Sequence, residues 1–134
     1  MSDAPHYLSP LLGRDAQGHT LVIRNRPTTL ATHVEPAFTS ATRNRGLLGR
    51  TSLAPGHALV IAPCSSIHTF FMKFPIDVIY TRRTGEVTKI RHRVPAWRLS
   101  FGVGAFAVVE MTAGSAERAG LRVGDTLACE PRPA

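Results

Sequence analysis

The apolar residues of this chain fall into short runs separated by turn residues, and this division constrains the fold more than any other feature. Strongly apolar runs cover Ala58–Ala62, Ile76–Thr81 and Ala105–Met111. Pro63 stops the first run, and Gly114 follows the last. Apolar runs of this length, bounded by proline and glycine, are typical of buried strands. The sequence therefore predicts several short, buried strands.

Weaker signals predict the remaining elements. The residue before a predicted helix that runs to about Leu48 is Thr39 or Ser40, and both types cap helices well. Ser115–Ala119 is predicted to form one helical turn. Further strands are expected at Leu21–Arg24, Leu30–Val34, Val87–Ile90 and Thr126–Glu130. Together these elements predict a mostly β fold of the α+β type, a compact small barrel-like domain with one or two short helices.

The length of 134 residues and the hydrophobic share of 43% suit one domain with a real core. We expect residues 21–130 to form this single globular domain. Residues 1–20 are polar and punctuated by proline and glycine, which predicts a loosely ordered lead-in. Residues 131–134 are predicted to be a tail.

Sixteen lysines and arginines against nine acidic residues give a net charge of +7. Such a balance is compatible with nucleic acid, anionic lipid or acidic ligands as partners. The basic residues are scattered, however, and few aromatic residues lie among them, which disfavours a base-stacking surface. A role as a nucleic-acid accessory protein is therefore an alternative and not the favoured function.

The chain shows no signal for a membrane or for an oxidising compartment. No apolar run approaches the ~18 residues that span a bilayer, and the N-terminus lacks a signal-peptide pattern. Cys64 and Cys129 form no CxxC motif. We expect a cytoplasmic protein with reduced thiols and without membrane insertion, while one disulfide between the two cysteines remains open.

The segment Cys64–Asp77 holds four side chains with chemical potential: Cys64, His68, Met72 and Asp77. Thiolate, imidazole and thioether donors suit copper(I). In a strand each four-residue step covers roughly 13 Å, and in a helix about 6 Å. Because metal–ligand bonds are only about 2.0–2.3 Å long, neither regular structure brings these side chains to one ion without a bend. We therefore expect no metal and no cofactor, and treat Cys64 and Met72 as secondary site candidates.

An enzyme or metalloprotein centred on Cys64 and His68 is a further alternative. A cysteine–histidine nucleophilic pair needs a lowered thiol pKa and a third group to orient the imidazole, which Asp77 could supply. The competing interpretation is that Cys64 is a small buried hydrophobic residue, as free cysteines commonly are. Whether the protein is an enzyme stays open, with the balance against it.

Asp77 is the most informative single residue, because it lies within an apolar run where a lone charge is costly. We predict that it forms a structural ion pair with Arg45 or Arg50, since guanidinium groups pair bidentately with carboxylates. His68 is another candidate partner. Glu110, at the end of the apolar run Ala105–Met111, could complete a polar cluster with these residues.

The same residues carry a family resemblance over roughly residues 30–130. The chain resembles the uncharacterised domain-of-unknown-function 192 family of bacteria and archaea in three ordered segments: Arg45–Arg50, Pro63–Met72 and Pro75–Ile79. Its second half matches at Pro95, Val109-Glu110, Ala113-Gly114, Gly120-Leu121 and Gly124-Asp125. The resemblance implies a small β-rich, barrel-like domain with a short helix, and it implies no reaction. The positions that recur in the family's motifs are Arg45, Arg50, Cys64, His68, Met72 and Asp77.

Two departures from the family pattern stand out. Leu48 occupies a position where the family often has methionine, which weakens a methionine-based metal site. Thr81-Arg82-Arg83 replaces an aspartate-bearing loop, so the loop is not acidic in this chain.

Taken together, these features favour a small non-catalytic binding module. Its predicted polar pocket would bind a small ligand, an anionic one included, or a protein partner. We expect a monomer or a small homo-oligomer. The predicted pocket residues are Arg45, Arg50, His68, Asp77 and Glu110.

Overall fold

The computed structural model describes residues 5–13 and 18–133. Parts of the predicted lead-in and tail, residues 1–4, 14–17 and 134, lie outside the described residues. Within these ranges the chain forms ten strands, two short α-helices and a 3-10 helix at Ser9–Leu12. The strands and helices in chain order are β1 His19–Ile23, β2 Thr28–Ala31, β3 His33–Ala37, α1 Ser40–Arg45, β4 His57–Ile61, β5 Ser66–His68, β6 Ile76–Thr81, β7 Val87–Val94, β8 Leu99–Phe101, β9 Ala107–Thr112, α2 Ser115–Arg118 and β10 Leu127–Pro131.

The strands form three sheets, of which the central one has five strands. The central sheet has the order β3-β4-β9-β6-β7, in which β3 and β4 are parallel and the other neighbours antiparallel. A three-stranded sheet has the order β10-β1-β2, and β5 pairs with β8 alone. The mostly β fold with two short helices is confirmed, and the sheets are not closed into a barrel.

The central sheet is covered on both faces, which explains why its strands are continuously apolar in sequence. All six residues of β6 are buried. One face packs into a first hydrophobic cluster, whose large members include Leu8, Leu21, Ile23, Ile79, Met111 and Leu127. The other face packs into a second cluster, which includes Leu47, Leu59, Ile61, Val78, Tyr80 and Val108.

Two carboxylates are buried in this sheet, on adjacent strands and opposite faces. Asp77 of β6 alternates with Val78 and so lies on the side of the first cluster. Glu110 of β9 lies directly opposite Val78 and therefore on the side of the second cluster. The layers that cover the two faces thus decide the surroundings of each acid.

Helix α1 begins where the sequence predicts and ends earlier. The hydroxyl of Thr39 accepts a hydrogen bond from the Thr42 N–H at 3.1 Å, and the Thr42 hydroxyl accepts one from the Thr39 N–H at 3.1 Å. This capping box fixes the first turn. The helix ends before Gly46 and not near Leu48, because Gly46 adopts a positive φ of 50° that leaves the helical region.

The described part of the predicted lead-in is not loosely ordered. Leu8, which precedes the 3-10 helix Ser9–Leu12, and Leu11 within it are both buried in the first cluster. The Tyr7 hydroxyl shares a hydrogen bond of 2.8 Å with the hydroxyl of Thr81. At the other end, β10 continues to Pro131, so the strand extends into the predicted tail.

Two regions differ from the predicted elements. Strand β7 continues to Val94, beyond the predicted end of this strand at Ile90. Strands β5 and β8 are absent from the prediction, since three-residue strands with polar members give almost no periodic signal. Within the described ranges, no helix combines the length and the hydrophobicity needed to cross a membrane.

Candidate functional site

A cleft of about 570 Å³ lies on the side of the second cluster. One wall is the end of α1 and the turn after it, residues 43–48, and the other is the segment 63–68 that includes β5. Ile61, Met72, Ala105 and Glu110 complete the lining. Glu110 reaches the cleft from the central sheet, while the two walls belong to the layer that covers this sheet. We call this space the cleft below.

Glu110 is the most unusual group in the cleft. Its side chain is only 5% exposed, and within the described part of the chain no hydrogen bond or ion pair satisfies its carboxyl group. Burial raises the pKa of Glu110 to about 7, against the opposing effect of the Arg50 charge. Such a group is nearly buried, titrates near neutrality and lines an open space, so it can exchange a proton or a hydrogen bond with a bound molecule.

The two predicted arginines have different positions. Arg50 donates a hydrogen bond from Nη2 to Oε2 of Glu35 at 2.5 Å, and it does not line the cleft. It acts on Glu110 through its charge only. Arg45, in contrast, lines the cleft and is exposed, and its guanidinium has no hydrogen bond or ion pair with another described residue. Arg45 is therefore available to an anionic group in the cleft.

His68 and Met72 both line the cleft, at the end of β5 and after it. The imidazole of His68 is exposed, and its Nδ1 accepts a hydrogen bond from the Phe70 N–H at 3.2 Å. Met72 is half-buried and packs against the second cluster. His68 thus presents a polar ring to the cleft, whereas Met72 contributes an apolar surface.

Asp77 does not belong to the cleft. Its side chain is 0% exposed, and its two oxygens accept hydrogen bonds from the backbone N–H groups of Arg93 and Ala116, both at 2.9 Å. The predicted ion pair with Arg45 or Arg50 is wrong, because Asp77 lies on the opposite face of the sheet from the cleft. The predicted contact between His68 and Asp77 is absent from the described residues for the same reason. Asp77 joins the end of β7 to the start of α2 and is structural.

Cys64 lines the cleft but is not an activated thiol. Its Sγ donates a hydrogen bond to the carbonyl oxygen of Ser66 at 3.0 Å. Burial raises the pKa of Cys64, and the nearby Glu110 charge acts in the same direction. Cys129 lies on β10 against the first cluster, and both cysteines are free thiols. Among the described residues, no group of three or more His, Cys, Asp and Glu side chains is placed to hold a metal ion.

The cleft thus brings together five of the predicted residues, namely Arg45, Cys64, His68, Met72 and Glu110. Arg43 lines the cleft as well, and the sequence did not single it out. Its guanidinium donates to the carbonyl oxygen of Pro63 at 3.1 Å and so ties the two walls together. The only sequence signal for this role is the position of Arg43 two residues before Arg45, near the end of the capped helix.

Comparison with known proteins now gives the family. The model of the domain-of-unknown-function 192 (DUF192) family, described as "Uncharacterized ACR", matches residues 21–129. This chain belongs to the DUF192 family. The family description assigns no activity, and no curated protein matches the chain.

Two crystal structures resemble this DUF192 domain. The first, from Sinorhizobium meliloti 1021, is described as a candidate transcription regulator; it has a TM-score of 0.71, 21% identity, and covers 83% of this chain and 91% of its own. The second is a protein of unknown function from Novosphingobium aromaticivorans DSM 12444, with a TM-score of 0.70, 23% identity and 81% coverage of both chains. At these identities the two structures support the fold alone.

Proposed function

We propose that this DUF192 domain is a non-catalytic module that binds a small molecule in the cleft, against Glu110. The observation that carries the proposal is the nearly buried Glu110 carboxyl group without a partner among the described residues. Among the described residues every fully buried side-chain oxygen has a hydrogen-bond partner, so the Glu110 oxygens, which have none, open onto the cleft. A ligand that brings an N–H donor or a cationic nitrogen into the cleft can bind these oxygens directly.

Arg45 at the rim of the cleft indicates a second group that the ligand should carry. Arg45 is exposed there without a partner among the described residues, and guanidinium groups bind carboxylate and phosphate well. We therefore infer a ligand with a cationic or N–H group at one end and an anionic group at the other. The volume of about 570 Å³ suits a small molecule.

The state of Cys64 disfavours the alternative of thiol catalysis. Catalytic cysteines have a lowered pKa and lie in electropositive, partly exposed surroundings. In this cleft the pKa of Cys64 is raised by burial, and the thiol donates to a backbone carbonyl. The same sulfur atom is well suited to form part of the apolar wall of a binding site.

A series of ω-amino acids of increasing chain length tests this proposal, because each carries an ammonium and a carboxylate at a different separation. Titration followed by two-dimensional amide NMR should show one preferred length, with saturable shifts in segment 63–68 and at Glu110. Glu110→Gln should weaken binding about tenfold or more, since hydrogen bonds to charged groups are the stronger ones. Arg45→Gln should weaken it severalfold.

Two matched variants control for charge. Glu117→Gln and Arg122→Gln remove the same charges outside the cleft and should leave the affinity unchanged. Binding that is equal in wild type and Glu110→Gln would contradict the proposal, as would no binding along the series. Duplex DNA provides the comparison titration for the nucleic-acid alternative, for which the affinity must fall steeply with salt.

A further inference from the structure

Strand β8 and the turns next to β5 and β8 expose a set of large apolar side chains that do not line the cleft. Of the seven large hydrophobic residues that are exposed in the described ranges, five lie on β8 or in the turns next to the two strands. Phe71 is 70% exposed and Val103 is 97% exposed. We call these five side chains the apolar face: Phe71, Trp97, Leu99, Phe101 and Val103.

The inner side of the two strands is anchored to the core, which leaves the apolar face outermost. Ser100 of β8 is buried and accepts a hydrogen bond from the Tyr80 hydroxyl at 2.7 Å. Ile67, opposite Ser100, packs against the second cluster. Leu99 and Phe101 flank Ser100 and so point to the other side of the strand. The apolar face is therefore exposed because the opposite side of the two strands packs against the core, and not because it lies on a loose loop.

A buried threonine holds the two aromatic turns in place. Thr69 is 1% exposed, and its hydroxyl donates to the Pro95 carbonyl oxygen at 2.7 Å. The carbonyl oxygen of Thr69 accepts the N–H groups of Met72 at 3.1 Å and Trp97 at 3.0 Å. The Phe71 and Trp97 rings contact each other with centroids 4.6 Å apart.

Both of these aromatic residues have a positive φ, 64° for Phe71 and 67° for Trp97. Bulky side chains rarely adopt this conformation, and such strain persists where the surrounding structure enforces it, commonly at functional sites. In this domain the result of the strain is to present two aromatic rings to the outside. Exposed aromatic side chains of this kind are typical of surfaces that bind another protein or a membrane.

The charges around the apolar face are of one sign. Segments 63–75 and 94–106 contain no aspartate or glutamate, while Lys73 and Arg98 are exposed within them. Lys89 of β7 adds a third cation, since its Nζ donates to the Phe101 carbonyl oxygen at 2.6 Å. A surface that complements this face must be apolar in its interior and anionic at its boundary.

We propose that the apolar face docks this domain on the surface of an anionic lipid bilayer. Tryptophan and phenylalanine side chains enter the interfacial layer of a membrane, and flanking lysine and arginine bind its anionic headgroups. A bilayer supplies both parts without a preformed complementary pocket. His68, opposite Leu99 on β5, also lines the cleft, so docking brings the mouth of the cleft close to the membrane.

The single tryptophan of the chain, Trp97, makes the proposal directly measurable. Vesicles of phosphatidylcholine mixed with an equal amount of phosphatidylglycerol should shift the Trp97 emission to the blue and protect it from acrylamide. The bound fraction should fall as salt is added, and pure phosphatidylcholine vesicles should bind far more weakly. Phe71→Ser and Phe101→Ser should each weaken partition by roughly tenfold. Arg98→Gln should weaken it by about fivefold.

Matched controls lie outside the apolar face. Val123→Ser removes an exposed apolar side chain, and Arg122→Gln removes an exposed cation; both should leave vesicle binding unchanged. Glu110→Gln should also bind vesicles normally, which keeps this test independent of the cleft. Circular dichroism and cooperative unfolding check that each variant is folded.

Three outcomes would overturn the proposal. The first is no binding to the anionic vesicles at low salt, and the second is binding that Phe71→Ser and Phe101→Ser leave unchanged. The third is a concentration-dependent dimer in sedimentation that these same variants dissolve, which would identify a second copy of the chain as the occupant.

Discussion

Two buried acids, on neighbouring strands of one sheet, show how differently the same kind of residue can be used. Asp77 is fully buried and has a backbone donor on each oxygen. Glu110, on the opposite face, is nearly as buried but has no hydrogen-bond partner within the described ranges. Asp77 holds β7 and α2 together, whereas Glu110 opens onto the cleft and weakens the fold only when it is ionised, because burial disfavours its charged form. Hydrogen-bond partners therefore separate a structural carboxylate from a candidate binding group, and burial alone does not.

The largest expected effect is the loss of Asp77. Asp77→Ala leaves the N–H groups of Arg93 and Ala116 without an acceptor, and each buried unsatisfied donor costs about 1–3 kcal/mol. We predict that the free energy of unfolding falls by about 3–5 kcal/mol, measured by urea denaturation at pH 7. Asp77→Asn keeps one acceptor oxygen and should lose less. A loss below about 1 kcal/mol for Asp77→Ala would show that the two bonds are not structural.

Removing the Glu110 charge should stabilise the protein, in contrast to the loss of stability expected for Asp77→Ala. The pKa is raised from 4.5 to about 7 in the folded protein, so the native state holds a proton that the unfolded chain has released. Stability therefore falls as pH rises from about 4.5 to about 7, and the full penalty remains above that range. Glu110→Gln should unfold like wild type at pH 4 and be about 1–3 kcal/mol more stable at pH 8.

Exposed Glu117 supplies the control for this prediction. Glu117→Gln removes exposed ion pairs with Arg93 and His92, which contribute little, and should keep the fall in stability between about pH 4.5 and 7 that Glu110 causes. If the free energy of unfolding of Glu110→Gln changed with pH between pH 4 and pH 8 as it does in the wild type, the Glu110 carboxyl would not be the cause of the lost stability.

A smaller effect is expected at Cys64, whose pKa the Glu110 charge helps to raise. Glu110→Gln should lower this pKa and speed alkylation of Cys64 by iodoacetamide severalfold at mildly alkaline pH. Mass spectrometry separates the product from that at Cys129, the internal control. The pKa of Cys129 is raised to about 11 by burial and by Glu130, so Glu110→Gln should leave its rate unchanged. Equal acceleration of both thiols would indicate general loosening of the fold instead.

The smallest expected effect is a change in the pKa of Glu110, and it distinguishes the roles of Arg45 and Arg50. The Arg50 charge lowers the pKa of Glu110, so Arg50→Met should raise it further. Arg45→Met should leave this pKa unchanged and weaken ligand binding. An NMR titration of the Glu110 carboxyl carbon in both variants measures the difference. The reverse assignment would place Arg45, and not Arg50, in the electrostatic environment of the acid.

Much of the fold could be predicted from sequence because its strongest signals are local. The strands that carry the core, such as β4 and β6, are continuous apolar runs, and the start of α1 is a capping pattern within four residues. Strands β5 and β8 could not be predicted, since a three-residue strand depends on a partner more than thirty residues away. The packing of Leu8 and Leu11 likewise depends on β1 and β10, which cover them from distant parts of the sequence.

The candidate site could be predicted only in part, for the same physical reason. Both Asp77 and Glu110 look alike in sequence, each a lone acid in an apolar run. What separates them is the backbone of Arg93 and Ala116, and neither partner is local to Asp77. His68 and Arg45 line the same cleft as Glu110, because β5 and α1 cover the same sheet face.

Glu110 is the central residue of the proposed binding site, and its titration is the most direct test of that role. Carboxyl carbon NMR of the free protein should show Glu110 with a midpoint near pH 7. Saturation with the preferred ω-amino acid should move this midpoint downward, because the ammonium group stabilises the carboxylate. A midpoint near 4.5 in the free protein, or one that the bound molecule leaves in place, would contradict the assignment of Glu110 as the binding group.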